Sequence, residues 1–463
     1  MKDGMSKTFR PWEIDQLQLL PPSVHELVPE GHVAHFVRDL VRESLDLSEI
    51  FGAYTEERGQ PPFHPAMMTA LLLYAYSQGV FSSRKIAQAC EQRVDFMAVT
   101  ACQRPDHRTV NDFRRRHLPA LGGLFGQVLR LCQKAGLVKL GHVALDGTKI
   151  KANASKHKAM SYARMKEVEP QLAAEVARWF AEADDLDRSE DDRHADGRGD
   201  EMPAWVQSKQ ERLAKIRAAM AALETEAAAE AAARDGDRRA AQEARARDEE
   251  RPEPTVPRPH HMADGTPSDK AQRNFTDPES KLMMTKDGFV QGYNAQAAVD
   301  SASQVIVAEM VIAEQNDVRA LAPMLAQIKA NTGRQARELS ADAGYCSEAN
   351  LRELGRRHVR GYIATGRIKH SEGSAKGRIG QLPGTRAHDM RMRLARAGYR
   401  SRYHLRKQVV EPVFGQIKAA LGFGRFLMRG MKKVQLEWRL VCTAHNLRKL
   451  LTAVGRAALA AAR

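Results

Sequence analysis

YNAQAAVDSASQVIVAEMVI, residues 293–312, holds two runs of strand-forming residues separated by Ser301, Ala302 and Ser303, the pattern of a β-hairpin. Further along, residues 317–330 carry helical spacing, and ARELSADAGY (336–345) reads as a strand ending at Asp342. Ser347 stands where it can cap a helix in SEANLRELGRR (347–357), and VRGYIA (359–364) is one more strand. On the N-terminal side, VALDGTKI (143–150) is a strand that carries Asp146. Strands alternating with helices in this order imply an α/β fold, a mixed sheet flanked by helices.

Between Asp146 and the hairpin the character changes. SYARMKEVEPQLAAEVARWF (161–180) spaces Met165, Val168, Leu172, Val176 and Trp179 by three or four residues, and a second helix over 204–247 repeats that spacing with Leu213, Ile216, Met220 and Leu223. SEDDRHADGRGDEMP (189–203) breaks the two, so a long antiparallel α-helical hairpin is expected as an insertion, with Trp179 and Trp205 packed in it. Its distal part (224–250) lacks large apolar residues and is expected to project into solvent, and the Pro-rich RPEPTVPRPHH (251–261) closes the insertion as a linker.

Ahead of the sheet, residues 22–136 read as an all-α domain, with apolar periodicity in 28–45, 64–78 and 121–136. GVFSSRKIAQACEQRVDFMAV (79–99) places Ser82 and Ser83 at an N-cap, followed by Arg84 and Lys85. RPDHRTVNDFRRRHLPAL (104–121) offers Thr109 and Asp112 as a capping box opening a helix with Arg108, Asn111, Arg114, Arg115 and Arg116. Two short helices joined by tight turns suggest a helix-turn-helix arrangement whose arginines, as a cluster, contact DNA; singly, each arginine is better explained by a solvated face or an acidic neighbour.

The chain of 463 residues carries a formal charge of +15 and a pI near 9.6. That balance favours a polyanionic partner, because Lys and Arg displace condensed counterions from nucleic acid. Membrane-surface binding is the competing reading. The most apolar stretch, AMMTALLLYA (66–75), is too short to span a bilayer, and residues 1–15 have no apolar signal core, so a cytoplasmic protein is expected. Five scattered cysteines and dispersed histidines, with His260 and His261 adjacent in the linker, suggest neither a disulfide framework nor a zinc site.

Three carboxylates remain: Asp146, Asp342, and Glu411 in RKQVVEPVFGQIKAALGF (406–423). Hard divalent ions take oxygen ligands, are held by a few carboxylates, and keep positions free for phosphate oxygens. Two such ions roughly 4 Å apart can activate an attacking hydroxyl and stabilise the leaving oxygen of an in-line phosphoryl displacement. Each carboxylate also has an ordinary explanation, as a turn aspartate, a loop aspartate or a surface glutamate. Asp277, Glu279 and Asp300 are further acidic candidates that turns explain. Placement of the trio at strand ends and on a late helix of one α/β unit sets it apart.

The chain resembles a DDE-type transposase of a bacterial insertion sequence over nearly its whole length. The resemblance is carried by ALDGTKIKANAS (144–155), TDPESKLM (276–283), GYNAQAAVD (292–300), ADAGYCS (341–347) and YHLRKQVVEPVFGQIK (403–418). PPFHPAMMTALLLYAYSQGVFSSRKIAQAC (61–90) is similar to the helical domain such proteins place ahead of the catalytic core. It implies a ribonuclease H-like sheet, with Asp146, Asp342 and Glu411 as catalytic metal ligands for two Mg²⁺, for which Mn²⁺ would substitute. Lys418 carries over as a DNA-contacting lysine, seven residues or about two turns from Glu411 and so on the same helix face.

Tyr403 and Arg406 keep their mutual spacing, but Lys407 rather than Arg406 stands at the usual distance from Glu411, so which of them contacts DNA stays open. Pro412 implies either a bend at Glu411 or a new helix start. Lys149 and Lys151 are candidate phosphate contacts or solvated strand lysines. The expected organisation is an N-terminal DNA-binding domain over 1–136, a catalytic domain over 137–155 and 263–450, the hairpin insertion and linker over 156–262, and a tail over 451–463. The implied activity is binding of terminal inverted repeats, DNA cleavage and transfer of 3′-OH ends to target DNA, by a homodimer or larger complex associated with the bacterial nucleoid. Neither a membrane nor a small-molecule substrate is involved. Rival readings are an inactive DNA-binding repressor of transposition and a structure-selective nuclease on the same fold.

Overall fold

A computed structural model describes residues 23–24, 26–55, 61–191, 204–246, 265–285, 288–366, 383–397 and 402–461. Seven helices come first: α1 (Val33–Glu43), α2 (Ser48–Phe51), α3 (Pro65–Ser77), α4 (Ser83–Gln92), α5 (Val94–Thr100), α6 (His107–Arg116) and α7 (Leu118–Lys134). Helix α3 is apolar all round and lies buried, as an unrelieved apolar helix must. Ser82 is the N-cap of α4, as expected. Helix α6 begins earlier than the Thr109 capping box suggested: Asp106 is the N-cap, and its carboxylate accepts from Thr109 N at 2.7 Å. Helix α5 intervenes between α4 and α6, so the two short helices are not joined by a single tight turn.

The sheet strands are β1 (His142–Lys151), β4 (Lys281–Thr285), β5 (Gly288–Asp300), β6 (Ile306–Ile312), β7 (Glu338–Ala341) and β8 (Arg360–Ile363); β2 (Ala159–Ser161) and β3 (Gln272–Asn274) form a separate small pair. Across the sheet the order is β4, β5, β1, β7, β8, with β6 sharing one edge of the long β5 alongside β4. β1 runs antiparallel to β5 and parallel to β7, and β7 runs parallel to β8, so the sheet is mixed as expected. The hairpin of 293–312 is the antiparallel pair β5 and β6. Its turn aspartate has a wider role than a local turn, since Asp300 Oδ2 also accepts from Leu140 N at 2.6 Å, ahead of β1. Asp277 likewise ties distant chain together, accepting from Tyr293 Oη at 2.8 Å and Gly430 N at 3.1 Å.

Helices α10 (Leu321–Thr332), α11 (Glu348–Arg356) and α12 (Arg386–Ala397) pack around the sheet, and Ser347 caps α11 through Asn350 N at 3.1 Å. Helix α13 (Leu405–Gly415) carries Pro412 inside it and passes at Gln416–Ala420 into a wider π-helical turn; α14 (Met431–Ala461) follows. The helix therefore does not restart at Glu411. One hydrophobic core runs from α1, α3 and α7 through the sheet to α14, so the helices of the first 136 residues and the sheet do not close separate cores. Helix α14 runs through the point where a tail was expected to begin.

Helices α8 (Tyr162–Asp191) and α9 (Ala204–Ala246) bury a second cluster of Tyr162, Met165, Leu172, Leu213, Ile216, Ala219 and Leu223. Ion pairs of Lys209 with Glu175 and Arg217 with Glu169 run in opposite chain directions, which makes the two helices antiparallel. Trp179 packs edge-on against the neighbouring Phe180. The polar break at 192–203, the side chain of Trp205 and the Pro-rich linker lie outside the described residues. Among the described residues no helix is long and apolar enough to cross a membrane.

Candidate active site

The parallel register of β1 and β7 pairs Val143 with Leu339 and Ala144 with Ser340. The pairing ends there, two residues short of Asp146 and Asp342, which lie close enough for the Asp342 charge to act on Asp146. Asp146 therefore lies within β1 rather than at its end, because the long β5 extends pairing to Lys151. Its Oδ1 accepts from its own Gly147 N at 2.9 Å, and its Oδ2 accepts from Arg406 Nη1 at 2.5 Å. Burial pushes the Asp146 carboxyl up to about 7; Arg406 opposes the rise and Asp342 adds to it. Asp342 caps the tight turn after β7, accepting from Gly344 N at 2.8 Å. Its pKa is raised by burial first and then by the neighbouring Asp317 carboxylate.

Glu411 comes to these aspartates on α13. Val410, Val413 and Phe414 are buried, and Phe414 stacks on Trp438 of α14. Trp438 is fixed in turn by donating its indole N–H to Gln296 O at 2.9 Å. The opposite face of α13 leaves the Glu411 side chain 50 % exposed, with Oε1 3.5 Å from Arg406 Nη2. Arg406 thus stands between Asp146 and Glu411, its guanidinium carbon 5.9 Å from the centre of the Tyr403 ring. Lys407, one residue on, is exposed. The structure separates the two: Arg406 faces the carboxylates and Lys407 faces solvent.

Lys418 does not share a plain two-turn relation with Glu411, because the π-helical turn changes the helical phase between them. Its Nζ reaches β1, donating to Thr148 Oγ1 and Lys149 O at 3.2 Å each. Lys149 donates to Gln315 O at 2.9 Å. Burial lowers its pKa against the attraction of Asp317, Asp342 and Asp146. Lys151 is exposed.

Two residues that sequence reasoning missed complete the centre. Asp317 accepts from Asn294 Nδ2 at 2.6 Å and Gln296 Nε2 at 2.7 Å, and Tyr345 Oη donates to Gln296 Oε1. The sequence places Asp317 at a helix start, a position where aspartate is usually a cap, so nothing local marked it. The helix in fact begins at Leu321. Tyr345 follows Asp342 in the quoted motif but gave no sign of being buried beneath it.

On the helical side, Arg84, Lys85, Arg108 and Arg115 are exposed. Arg114 is not: it is 4 % exposed and donates to Phe81 O at 2.9 Å, Tyr76 Oη at 3.3 Å and Asn111 Oδ1 at 3.3 Å. Arg114 and Asn111 are thus tied to each other, and Arg114 braces the helices. The expectation of a DNA contact from Arg114 is corrected by that burial. A cavity of about 350 Å³ lies between α6 and α14, lined by Asp112, Arg115, Arg116, Leu118, Met428 and Lys433.

Among the described residues no three acidic, histidine or cysteine side chains are gathered into a metal cage. The donors nevertheless suit a hard cation: carboxylate oxygens on adjacent strands, and a buried Asn294 Oδ1 with no hydrogen-bond partner. Arg406 supplies positive charge between Asp146 and Glu411.

A helical region is thus fused through one core to a sheet that brings Asp146 and Asp342 near the helix of Glu411. Among known protein families, a transposase domain (DUF772) matches residues 22–116, and a transposase DDE domain matches residues 380–451. These two matches support a DDE-type transposase of an insertion sequence, an enzyme that cleaves DNA. Glu411 falls inside the second match, whereas Asp146 and Asp342 lie between the two. No curated protein and no solved structure matches the chain.

Proposed function

We propose that this transposase binds the terminal inverted repeats of its element, cleaves the DNA there and transfers the freed 3′-OH ends to target DNA at one site formed by Asp146, Asp342 and Glu411. The observation that carries the reading is the meeting of carboxylates from distant sequence: Asp342 acts on Asp146 across β1 and β7, and Arg406 bonds both Asp146 and Glu411. The sheet order, with β5 and β6 antiparallel on one side of β1 and β7 and β8 parallel on the other, supports a ribonuclease H-like core.

Asp146, Asp342 and Glu411 would hold two Mg²⁺, with Mn²⁺ able to replace them. Such ions, when bound, activate the water or 3′-hydroxyl nucleophile and stabilise the leaving oxygen. The remaining work falls to the protein. Arg406 neutralises Asp146, and with Tyr403 beside it would contact DNA phosphate at the rim of the carboxylates. Lys418 and Lys149 line the neighbouring part of β1, where a phosphate running past Asp146 would meet them. Exposed Arg84, Lys85, Arg108 and Arg115 read the repeat or its backbone, with Lys407 on the rim.

In this reading residues 1–136 bind DNA, 137–155 and 263–450 form the catalytic unit, the α8–α9 pair is a hairpin insertion that serves as an interface or clamps flanking DNA, and the active form is a dimeric or larger complex on bacterial nucleoid DNA. The test is movement, in cells, of a marked DNA segment bounded by the repeats that flank this gene, comparing the intact chain with Glu411→Gln at matched protein levels. Movement by the intact chain alone supports the reading. Inertness of both with repeat binding retained makes the chain a binding protein or a dead enzyme, and equal movement removes Glu411 from the site.

A further inference from the structure

Asp317 stands in the link between β6 and α10 and reaches back over the sheet. Its Oδ1 takes both amide donors, Asn294 Nδ2 and Gln296 Nε2, from two fully buried residues of β5. In register these lie opposite Lys149 and Gly147 of β1, the strand of Asp146. Tyr345, buried behind Asp342, clamps Gln296 from its other end. Held in this way, Asp317 has one oriented oxygen left. That Oδ2 lies 3.1 Å from the place a Cβ on Gly344 would occupy, and Asp342 Oδ1 lies 3.0 Å from the same place. The two carboxylates converge on a space that exists because residue 344 has no side chain.

Beside it the packing is close: a Cβ on Gly147 would meet Gln296 Nε2 at 2.3 Å, Asn294 Oδ1 at 2.6 Å and Asp317 Oδ1 at 2.9 Å. Asn294 is fully buried and its Oδ1 has no hydrogen-bond partner, although buried amide oxygens are nearly always satisfied. Converging carboxylates repel unless a proton or a cation lies between them, and carboxylate with amide oxygen is the donor set of a hard divalent ion.

We infer that Asp317 is a fourth carboxylate of the acidic centre, sharing a hard divalent cation with Asp342 through its Oδ2 while Asn294 and Gln296 fix its orientation. This rests on the proposal that Asp146 and Asp342 bind such ions, and the test separates the two claims. Mn²⁺ is titrated into the full chain without DNA, with free Mn²⁺ read by electron paramagnetic resonance, for wild type, Asp146→Asn and Asp317→Asn. Both variants are expected to bind at least about tenfold more weakly or to lose one ion. Wild-type binding by Asp317→Asn beside a weakened Asp146→Asn overturns the inference and leaves the proposed site standing. Wild-type binding by both overturns both. Should Asp317→Asn lose its fold by circular dichroism, the wild-type chain still decides: Fe²⁺ with ascorbate and peroxide cuts backbone near the bound ion. Cuts at the Asp317 link together with those at Asp146 and Asp342 are expected, and cuts at the latter two alone overturn the inference.

Discussion

Gly147→Ala places a single methyl beside Asp146 without altering any charge. The added Cβ would lie 2.3 Å from Gln296 Nε2, 2.6 Å from Asn294 Oδ1 and 2.9 Å from Asp317 Oδ1. None of these atoms is the loose end of a surface side chain. Gln296 holds Asp317 at one end and Tyr345 at the other, and Asn294 is hydrogen-bonded to Asp317 and to Glu314 O. Relief therefore breaks buried hydrogen bonds, at about 1–3 kcal/mol each when one partner is charged or left unsatisfied. Overpacking adds about 1–3 kcal/mol, whereas the restricted unfolded chain returns only about 0.5–1 kcal/mol. A net loss of about 3 kcal/mol follows, a large part of a typical domain stability. Urea-denaturation midpoints, followed by the fluorescence of the buried Trp438 region, measure it. Gly123→Ala is the control, since nothing lies within 4 Å of its Cβ on the exposed side of α7, and it should be neutral or slightly stabilising. A Gly147→Ala protein within about 0.5 kcal/mol of wild type would refute the packing of the acidic centre described above.

Arg406→Ala leaves Asp146 as a buried carboxylate without its partner, and a loss of about 3–5 kcal/mol is expected in the absence of metal. The loss should shrink in millimolar Mg²⁺, whereas Lys407→Ala should barely move the thermal midpoint in either condition. Arg114→Ala removes a buried guanidinium with three acceptors and is expected to destabilise the chain by about 2–4 kcal/mol in denaturant titrations. Arg108→Ala should instead leave stability within about 0.5 kcal/mol and weaken DNA binding. His445 is buried, its Nε2 bonded to Gln304 O at 2.9 Å, and burial lowers its pKa to about 4. The unfolded chain takes up the proton first, so its stabilising contribution is complete above about pH 6.5 and is lost as pH falls toward 4. Thermal melts of His445→Gln should fall less steeply than wild type between those pH values.

Much of the sheet was legible in local pattern. The β5–β6 hairpin, the strand before Asp342 and the Ser347 cap each depend on residues a few positions apart, where turn and cap chemistry acts. The failures have distant and local causes alike. Asp317 left the start of α10 because Asn294 and Gln296 bind it across the sheet. Lys418 lost its simple phase with Glu411 at a π-helical turn, which no spacing rule foresees. Arg114 did leave a signal: Val110, Phe113, Arg114 and His117 share one face of α6 at three- and four-residue spacing, and all four are buried. Reading the arginines as a cluster hid that face. The bond between Asp146 and Arg406, 260 residues apart, lies beyond any local pattern.

The most direct test of the central claim uses purified chain and a supercoiled plasmid bearing the two ends of the element. Intact protein should cut at the ends and form strand-transfer products when Mg²⁺ is supplied and not in chelator, and Asp146→Asn should bind the ends equally well yet form neither product. Cleavage by Asp146→Asn at the wild-type rate would contradict the assignment of the chemistry to these carboxylates.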